Sequence, residues 1–421
     1  MSVLDKEKLN DLRAQIDAID DEIAMLIQAR MSLVRAAAAL KSHSGEGAVS
    51  AVREQSILHH GEELESKYHL PPLLMQDLQR RILRESYVEK GSGAFAKAPS
   101  APHYQDLPSQ GALASQCRVC IVGGAGAMGR FFARYLTQAN YQVSAIEVDD
   151  YKLDEQGQAV EDITHSRAAK LLAQAHWCII SVPIDVSVAV VKQVSALIRP
   201  ECVLSDLTSV KGEMMAAMLK YHSGPVMGLH PMFGPDTFSL VKQVVVAVKG
   251  RDIEHCAFII EQLKIFGARV VDCSANEHDD AMRVIQALRH FTTIAYGNFL
   301  KERFAKDNSA EPGLLAQRPF IERLLDLSSP IYRLELMMVG RLFAQDPRLY
   351  CEIISSSERN LELIAQYVDA AQRCLDKLKV HDKAGFVQDF KDTNEFFGDF
   401  AKLFLQESSA ILALVQDTYH L

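Results

Sequence analysis

The sequence predicts a multidomain protein: an all-α helical bundle, then an α/β domain on a parallel sheet, then an all-α region. Three observations predict it. Leu9, Leu12, Ile16, Ile19, Ile23 and Leu26 step by three and four, the period of an amphipathic helix. A short apolar run at 117–122 passes directly into glycines at Gly124, Gly126 and Gly129. From about 277 onward the apolar residues again follow a helical period. The predicted boundaries are a helical module at 1–90, a linker at 91–116, a Rossmann-type domain at 117–276 and a helical domain at 277–421.

Composition sets the outer limits. A chain of 421 residues suggests two to three domains, and 48% hydrophobic with 24% charged residues gives material for more than one core. A formal net charge of −9 argues against nonspecific nucleic-acid binding, which needs a basic face. No apolar run approaches the roughly 20 residues of a membrane span. The opening Met-Ser-Val-Leu-Asp-Lys-Glu has no apolar core of a signal peptide. Cys117 and Cys120 form a C-x-x-C inside a predicted strand, without a second pair at zinc spacing, so no metal is expected. These features predict a cytoplasmic protein with neither membrane nor nucleic-acid partner.

The first helix is expected to run to about Lys41, since no Gly or Pro interrupts it before Gly45. A helix this long cannot bury its stripe alone, and a second copy of the chain is the simplest partner. The next step of the same register falls on Arg30. An arginine on an apolar seam is costly unless an anion pairs with it. Lys41, about three turns on, shares nearly the same face. Arg13 lies about 100° round the helix and points elsewhere. Arg53 and Glu54 open a second helix over 53–67, Pro71-Pro72 breaks the chain, and a third helix over 73–89 carries Ser86.

Basic residues inside a small helical bundle describe a pocket for a dianion. The set Arg13, Arg30, Lys41, Arg53-Glu54 and Glu85-Ser86 resembles the all-helical chorismate mutase family. That resemblance implies a Claisen rearrangement of chorismate to prephenate, which needs a compact substrate conformer and positive charge at the breaking ether oxygen. It implies that Arg30 and Arg13 of the partner subunit hold carboxylates and that Lys41 faces the ether oxygen. Glu54 would contact the ring hydroxyl, with Arg53 and Ser86 completing the shell. Lys90 stands where members often carry Gln, and Ser50 where they carry Asp. A module that serves only to dimerise the chain is the competing reading, which Arg30 on the apolar seam opposes.

The 91–116 stretch is rich in Gly, Ser, Ala and Pro and reads as a linker. The strand over 117–122, the Gly-x-G-x-x-Gly run and a helix over 130–138 then supply the context of a dinucleotide fingerprint. Gly124 permits the tight turn, Gly126 lets a pyrophosphate approach the backbone, and Gly129 lets helix and strand pack closely. Met128 lies within the same loop. Glu147 closes the next strand, where a carboxylate binds ribose hydroxyls and repels a 2′-phosphate, so NAD is the expected cofactor. Further strands at 177–182 and 203–207 end in Ser181-Val182-Pro183 and Ser209-Val210-Lys211. Ligands bind beyond the carboxyl ends of such strands, which places Ser181, Pro183, Ser209 and Lys211 towards a cleft. His230 follows a short strand over 226–229, with Pro231, Gly234 and Pro235 fixing its backbone. Strands at 244–248 and 269–272 complete the sheet.

Helices are expected from Glu277, across a loop at 306–319, then over 328–341, 349–379 and 382–407. His290 lies on the first, and Arg333 and Arg341, eight residues apart, near one face of the second. So much helix after a nucleotide domain reads as a dimerisation and substrate-closing domain.

The glycine motif, Ser-Val-Pro, Ser-Val-Lys, His-Pro-Met-Phe-Gly-Pro and Ser-Pro-x-Tyr-Arg…Gly-Arg resemble prephenate dehydrogenase. The glycine motif alone also suits dehydrogenases of the 3-hydroxyacid type, which the histidine motif opposes. With the first module, the chain resembles the bifunctional chorismate mutase/prephenate dehydrogenase family of bacterial tyrosine synthesis. The resemblance implies NAD-dependent oxidative decarboxylation of prephenate to 4-hydroxyphenylpyruvate. His230 would accept the hydroxyl proton, Ser209 position His230 or the hydroxyl, and Lys211 support the site. Arg341 would hold the departing carboxylate, Arg333 join the substrate contacts, and His290 mark the site's mouth. A homodimer and feedback inhibition by tyrosine are part of the same implication.

Overall fold

The computed structural model describes residues 3–41, 51–71, 74–91, 116–154, 156, 158–237, 239–305 and 318–416. They divide into two units, Met1–His278 and Asp279–Leu421. The linker expected at 91–116 and the loop at 306–319 lie almost wholly outside the described residues.

The first unit opens with α1 (Val3–Lys41), α2 (Ala51–Tyr68) and α3 (Leu74–Gly91). α1 ends where the pattern placed it. Its stripe from Leu9 to Leu33 is 36–72% exposed, so one chain does not cover it. α3 starts cleanly because buried Glu65 accepts hydrogen bonds from the N–H groups of Met75 (2.9 Å) and Gln76 (3.0 Å). A carboxylate there satisfies two unpaired donors and meets the positive end of the helix dipole.

The sheet follows as β1 (Arg118–Val122), α4 (Ala127–Gln138), β2 (Gln142–Ile146), α5 (Arg167–Ala173), β3 (Trp177–Ile180), α6 (Ile184–Ser195), β4 (Val203–Asp206), α7 (Gly212–Tyr221), β5 (Val226–Pro231), β6 (Val244–Arg251), α8 (Ile253–Ile265) and β7 (Arg269–Cys273). The strand order is β2-β1-β3-β4-β5-β6-β7. Alternating side chains fill two cores: Val119 and Ile121 meet α4 and α8, while Cys120 and Val122 meet α5, α6 and α7. Trp177, fully buried, is accepted because its Nε1–H donates to Ser205 Oγ at 2.7 Å.

The sheet is not parallel throughout. β6 runs antiparallel to β5, and β7 parallel to β6. A parallel return needs a crossover, usually a helix, and the connection at 232–243 carries no described helix. β5 also runs two residues further than expected, so His230 sits within the strand, opposite Val246.

α9 (Ala275–Met282) leads into the second unit, where a π-helical stretch, Arg283–Leu288, continues into α10 (Arg289–Ala305). Then come α11 (Arg318–Asp326), α12 (Pro330–Phe343), α13 (Pro347–Ser355), α14 (Glu358–Lys379), α15 (Lys383–Phe397) and α16 (Asp399–Gln416). The helix expected over 349–379 is therefore two. Ser357 Oγ accepts from Asn360 N to start α14, and Asn360 Nδ2 donates to the carbonyls of Ile353 and Ile354 to close α13. The helix expected over 382–407 breaks at Gly398, whose φ of 53° a side chain disfavours. Phe390, Phe396, Phe400 and Phe404 stay exposed on these last helices.

Candidate active sites

In the helical module, Arg30 Nη1 donates to Ser86 Oγ at 3.1 Å, and that hydroxyl donates to Ile82 O at 2.7 Å. Two residues separated by 56 positions, both expected in the mutase site, thus meet. Arg30 and Arg53 line a cavity of about 500 Å³ with His59, His60, Glu63 and Gln79. A hydrogen bond from His60 holds the Glu63 carboxyl below its ordinary range. Gln79 Oε1 is buried without a hydrogen-bond partner among the described residues. Glu54 pairs instead with Lys242 of the sheet domain, Oε1 to Nζ 2.5 Å. Arg13 is exposed on α1, and Lys41 is the last residue of that helix, its side chain outside the described set.

The dinucleotide loop shows where each glycine is required. The left-handed residue of the turn is Gly123 (φ 81°), not Gly124 as the motif suggests. Gly124 is needed for proximity, since a Cβ there would stand 2.6 Å from the Cβ of Ala145 on β2. A Cβ on Gly129 would stand 2.8 Å from Gly124 Cα, so helix and loop could not close. Gly126 caps α4 in an extended conformation without a side chain. Ser181 N donates to Val122 O at 2.8 Å, drawing the end of β3 against the loop, and Pro183 begins α6. Met128 is half-buried against the core on the α4 side.

Glu147 is pinned at the end of β2. Its N–H donates to Asp150 Oδ2 at 2.8 Å, and its carboxylate accepts from Ala125 N at 2.5 Å. The carboxylate therefore already faces the glycine loop. Helix N-terminal N–H donors, glycines without Cβ and an acceptor carboxylate make a surface that fits the pyrophosphate and ribose of a dinucleotide.

Beyond β4 the loop is held from below. Asp206, fully buried, accepts from Thr208 N (2.9 Å), lies 2.5 Å from Thr208 Oγ1, and forms an ion pair with Lys211. Lys211 also reaches Thr208 Oγ1 at 3.2 Å. Lys211 is thus fully buried, and half-buried Ser209 rides on the loop the pair holds. A Cβ on Gly228 would stand 3.2 Å from Lys211 Cδ, so β5 packs directly on the pair.

On β5, His230 is buried and its Nδ1 lies 2.8 Å from Nε2 of buried His278, with ring centroids 5.0 Å apart. His278 stands in the first turns of α9, started by a reciprocal cap in which Ser274 N and Oγ donate to Glu277 at 2.8 and 2.7 Å. Those bonds hold the Glu277 carboxyl below its ordinary range. His278 was not among the expected site residues. Its only local signal is its place in Glu-His-Asp-Asp at a helix start. Among the described residues no group of three or more His, Cys, Asp or Glu is placed to hold a metal ion.

In the second unit, His290 packs edge-on against Tyr350, centroids 4.8 Å apart, and burial followed by the Arg289 charge lowers its pKa. Arg333 is buried and Arg341 exposed on α12, so the two have different environments despite their spacing. The π-helical stretch ends two residues before His290; such stretches are frequent at functional sites.

Known families match this chain in the same order. Residues 12–89 match the family described as chorismate mutase type II. Residues 132–272 match the nucleotide-binding domain of prephenate dehydrogenase, and residues 274–392 its dimerization domain. A T-protein of Enterobacter agglomerans is 40% identical over 412 residues, covering 98% of this chain and 99% of that protein. A T-protein of Haemophilus influenzae is 36% identical over 411 residues, 98% of each. A solved prephenate dehydrogenase from Aquifex aeolicus shares 16% identity over 66% of this chain and 97% of its own, with a TM-score of 0.48.

Proposed function

The chain belongs to the bifunctional chorismate mutase/prephenate dehydrogenase family, and from that premise we propose how its residues divide the work. It rearranges chorismate to prephenate and oxidises prephenate with NAD in tyrosine biosynthesis. The observation that carries the division is the presence, in one chain, of a cavity lined by Arg30 and Arg53 and a sheet-borne His230 paired with His278.

In the mutase site Arg30 and Arg13 of the partner subunit hold the substrate carboxylates, with Arg53 and Ser86 completing the shell and Ser86 fixing Arg30. Lys41 donates to the ether oxygen as its bond to carbon breaks, and Glu54 accepts from the ring hydroxyl. The exposed stripe of α1 and the exposed phenylalanines of α15 and α16 support a homodimer. No proton moves in this step, so orientation and charge supply the rate.

NAD, when bound, accepts the hydride from C4 of prephenate. Gly124, Gly126, Gly129 and Met128 would line its pyrophosphate, Glu147 its ribose, and Ser181 with Pro183 the adjoining wall. Substrate oxidation then needs a group to take the C4 hydroxyl proton. His230 does this through Nε2, because its Nδ1 is engaged with His278. As the C1–carboxylate bond breaks, its electron pair enters the ring and CO₂ leaves; the proton returns to the phenolic oxygen. Ser209 orients the hydroxyl, Lys211 secures the Ser209 loop through Asp206, Arg341 with Arg333 holds the carboxylates, and His290 is assigned to the site's mouth.

Tyrosine shares the 4-hydroxyphenyl ring of the dehydrogenase product, which supports feedback inhibition by it. All eight cysteines are unbridged, which supports a reducing, cytoplasmic location. Paired variants test the division of labour. Lys41→Ala abolishes chorismate loss but preserves oxidation of supplied prephenate, while His230→Asn lowers dehydrogenase turnover by about 10²–10⁴ and spares the mutase. Loss of both activities in either variant overturns the modular assignment.

A further inference from the structure

We propose that Lys242 is a positioning residue for the mutase reaction, acting through Glu54; this rests on the reading of Glu54 as the contact to the ring hydroxyl. Glu54 lies in the first turn of α2, its side chain 18% exposed, and Lys242 Nζ stands 2.5 Å from its Oε1. The two are 188 residues apart and belong to different modules of the first unit.

The turn that presents Lys242 is built to hold still. Lys242 has φ 60°, a left-handed conformation that a lysine adopts at a cost. Lys242 N donates to Gly267 O at 2.8 Å, and Gln243 N to Leu240 O at 3.0 Å. Gly267 is itself left-handed, and a Cβ there would stand 3.0 Å from Val241 Cγ2. Val241 then packs with buried Leu83 of α3 and with Ile57 of α2. Ile57 lines the Arg30–Arg53 cavity. An apolar contact thus joins the sheet domain to the helical module at a residue that lines the cavity, and the ion pair holds Glu54, whose chain neighbour Arg53 lines it too.

The same turn ends the connection that leaves His230. Met232 N donates to Val244 O at 2.9 Å, closing the neck of that loop, and Lys242 stands on its far side. The strand of the dehydrogenase histidine and the lysine that orients Glu54 are therefore one short run of chain.

A carboxylate that must accept from one hydroxyl gains from a fixed rotamer. The ring hydroxyl is present in substrate and transition state alike, so a loosened Glu54 raises KM and leaves kcat. Lys242 is 53% exposed, which makes the effect a modest one. The experiment measures mutase KM and kcat on the full chain for Lys242→Met, Lys242→Arg, Glu54→Gln and the Lys242→Met/Glu54→Gln double variant. Lys242→Met raises mutase KM about three- to five-fold, with kcat and the oxidation of supplied prephenate unchanged. Lys242→Arg restores most of it, and Lys242→Met has no further effect beside Glu54→Gln. The proposal is overturned by an unchanged KM in Lys242→Met, by an equal effect in both backgrounds, by failure of Arg to restore, or by a parallel fall in both activities. If Glu54→Gln leaves the mutase unaltered, the reading of Glu54 itself fails, and the proposal with it.

Discussion

His230 Nδ1 lies 2.8 Å from His278 Nε2, with both rings buried at the carboxyl end of β5. One imidazole must donate and the other accept, and two like charges cannot share so short a contact. The contact couples the two rings, so the tautomer of His278 sets that of His230. His278→Ala lowers dehydrogenase turnover about five- to ten-fold, the worth of one oriented hydrogen bond. It also displaces the acid limb of the pH–rate profile, and His278→Gln restores part of the rate. A steady-state pH profile of the three proteins with prephenate checks this; superimposable profiles remove His278 from the mechanism.

The Glu147 carboxylate stands against the glycine loop, accepting from Ala125 N. In the proposed NAD site, replacing it removes a charge that would repel a 2′-phosphate and an acceptor for the ribose hydroxyls. Glu147→Ser lowers kcat/KM for NAD by about ten- to a hundred-fold and raises it for NADP. Initial rates with each nucleotide decide it.

Asp206 and Lys211 are both fully buried, so removing one charge strands the other. Asp206→Leu or Lys211→Met alone costs about 3–5 kcal/mol, whereas the double substitution costs less than their sum. Denaturant unfolding of the three variants measures this. Additive losses would show that the ion pair does not couple the two residues.

His222 is buried with Nε2 2.7 Å from Cys202 O, and burial, then the Arg251 charge, lowers its pKa. The folded state keeps His222 neutral while the unfolded chain titrates at the ordinary 6.5. Its contribution to stability is complete above 6.5 and is lost as pH falls through the lowered folded value. His290, also lowered, acts in the same direction. Melting temperatures from pH 8 to 5 fall more steeply for the wild type than for His222→Gln; equal slopes contradict the assignment.

Local pattern made most elements legible. The three-and-four steps from Leu9 marked α1, the absence of Gly and Pro before Gly45 its extent, and the apolar run passing into glycines marked β1 and most of α4. Arg30 was legible because it falls on the apolar register of α1, whereas its contact with Ser86 was not read from any local period. The Glu54–Lys242 and His230–His278 contacts join residues 188 and 48 positions apart, and no local period encodes either. The reversal of β6 was hidden for a different reason: strand direction depends on what the connection lacks, not on the strand. The break between α13 and α14 did carry a signal, Ser357 followed three residues later by Asn360, which the apolar period across it obscured.

One chain both makes and oxidises prephenate. The decisive measurement supplies purified full-length protein with chorismate and NAD, and no prephenate. Chorismate disappears and NADH and CO₂ form in equal amounts to it, both suppressed by Lys41→Ala. Consumption of chorismate without NADH, or no consumption at all, would contradict this assignment.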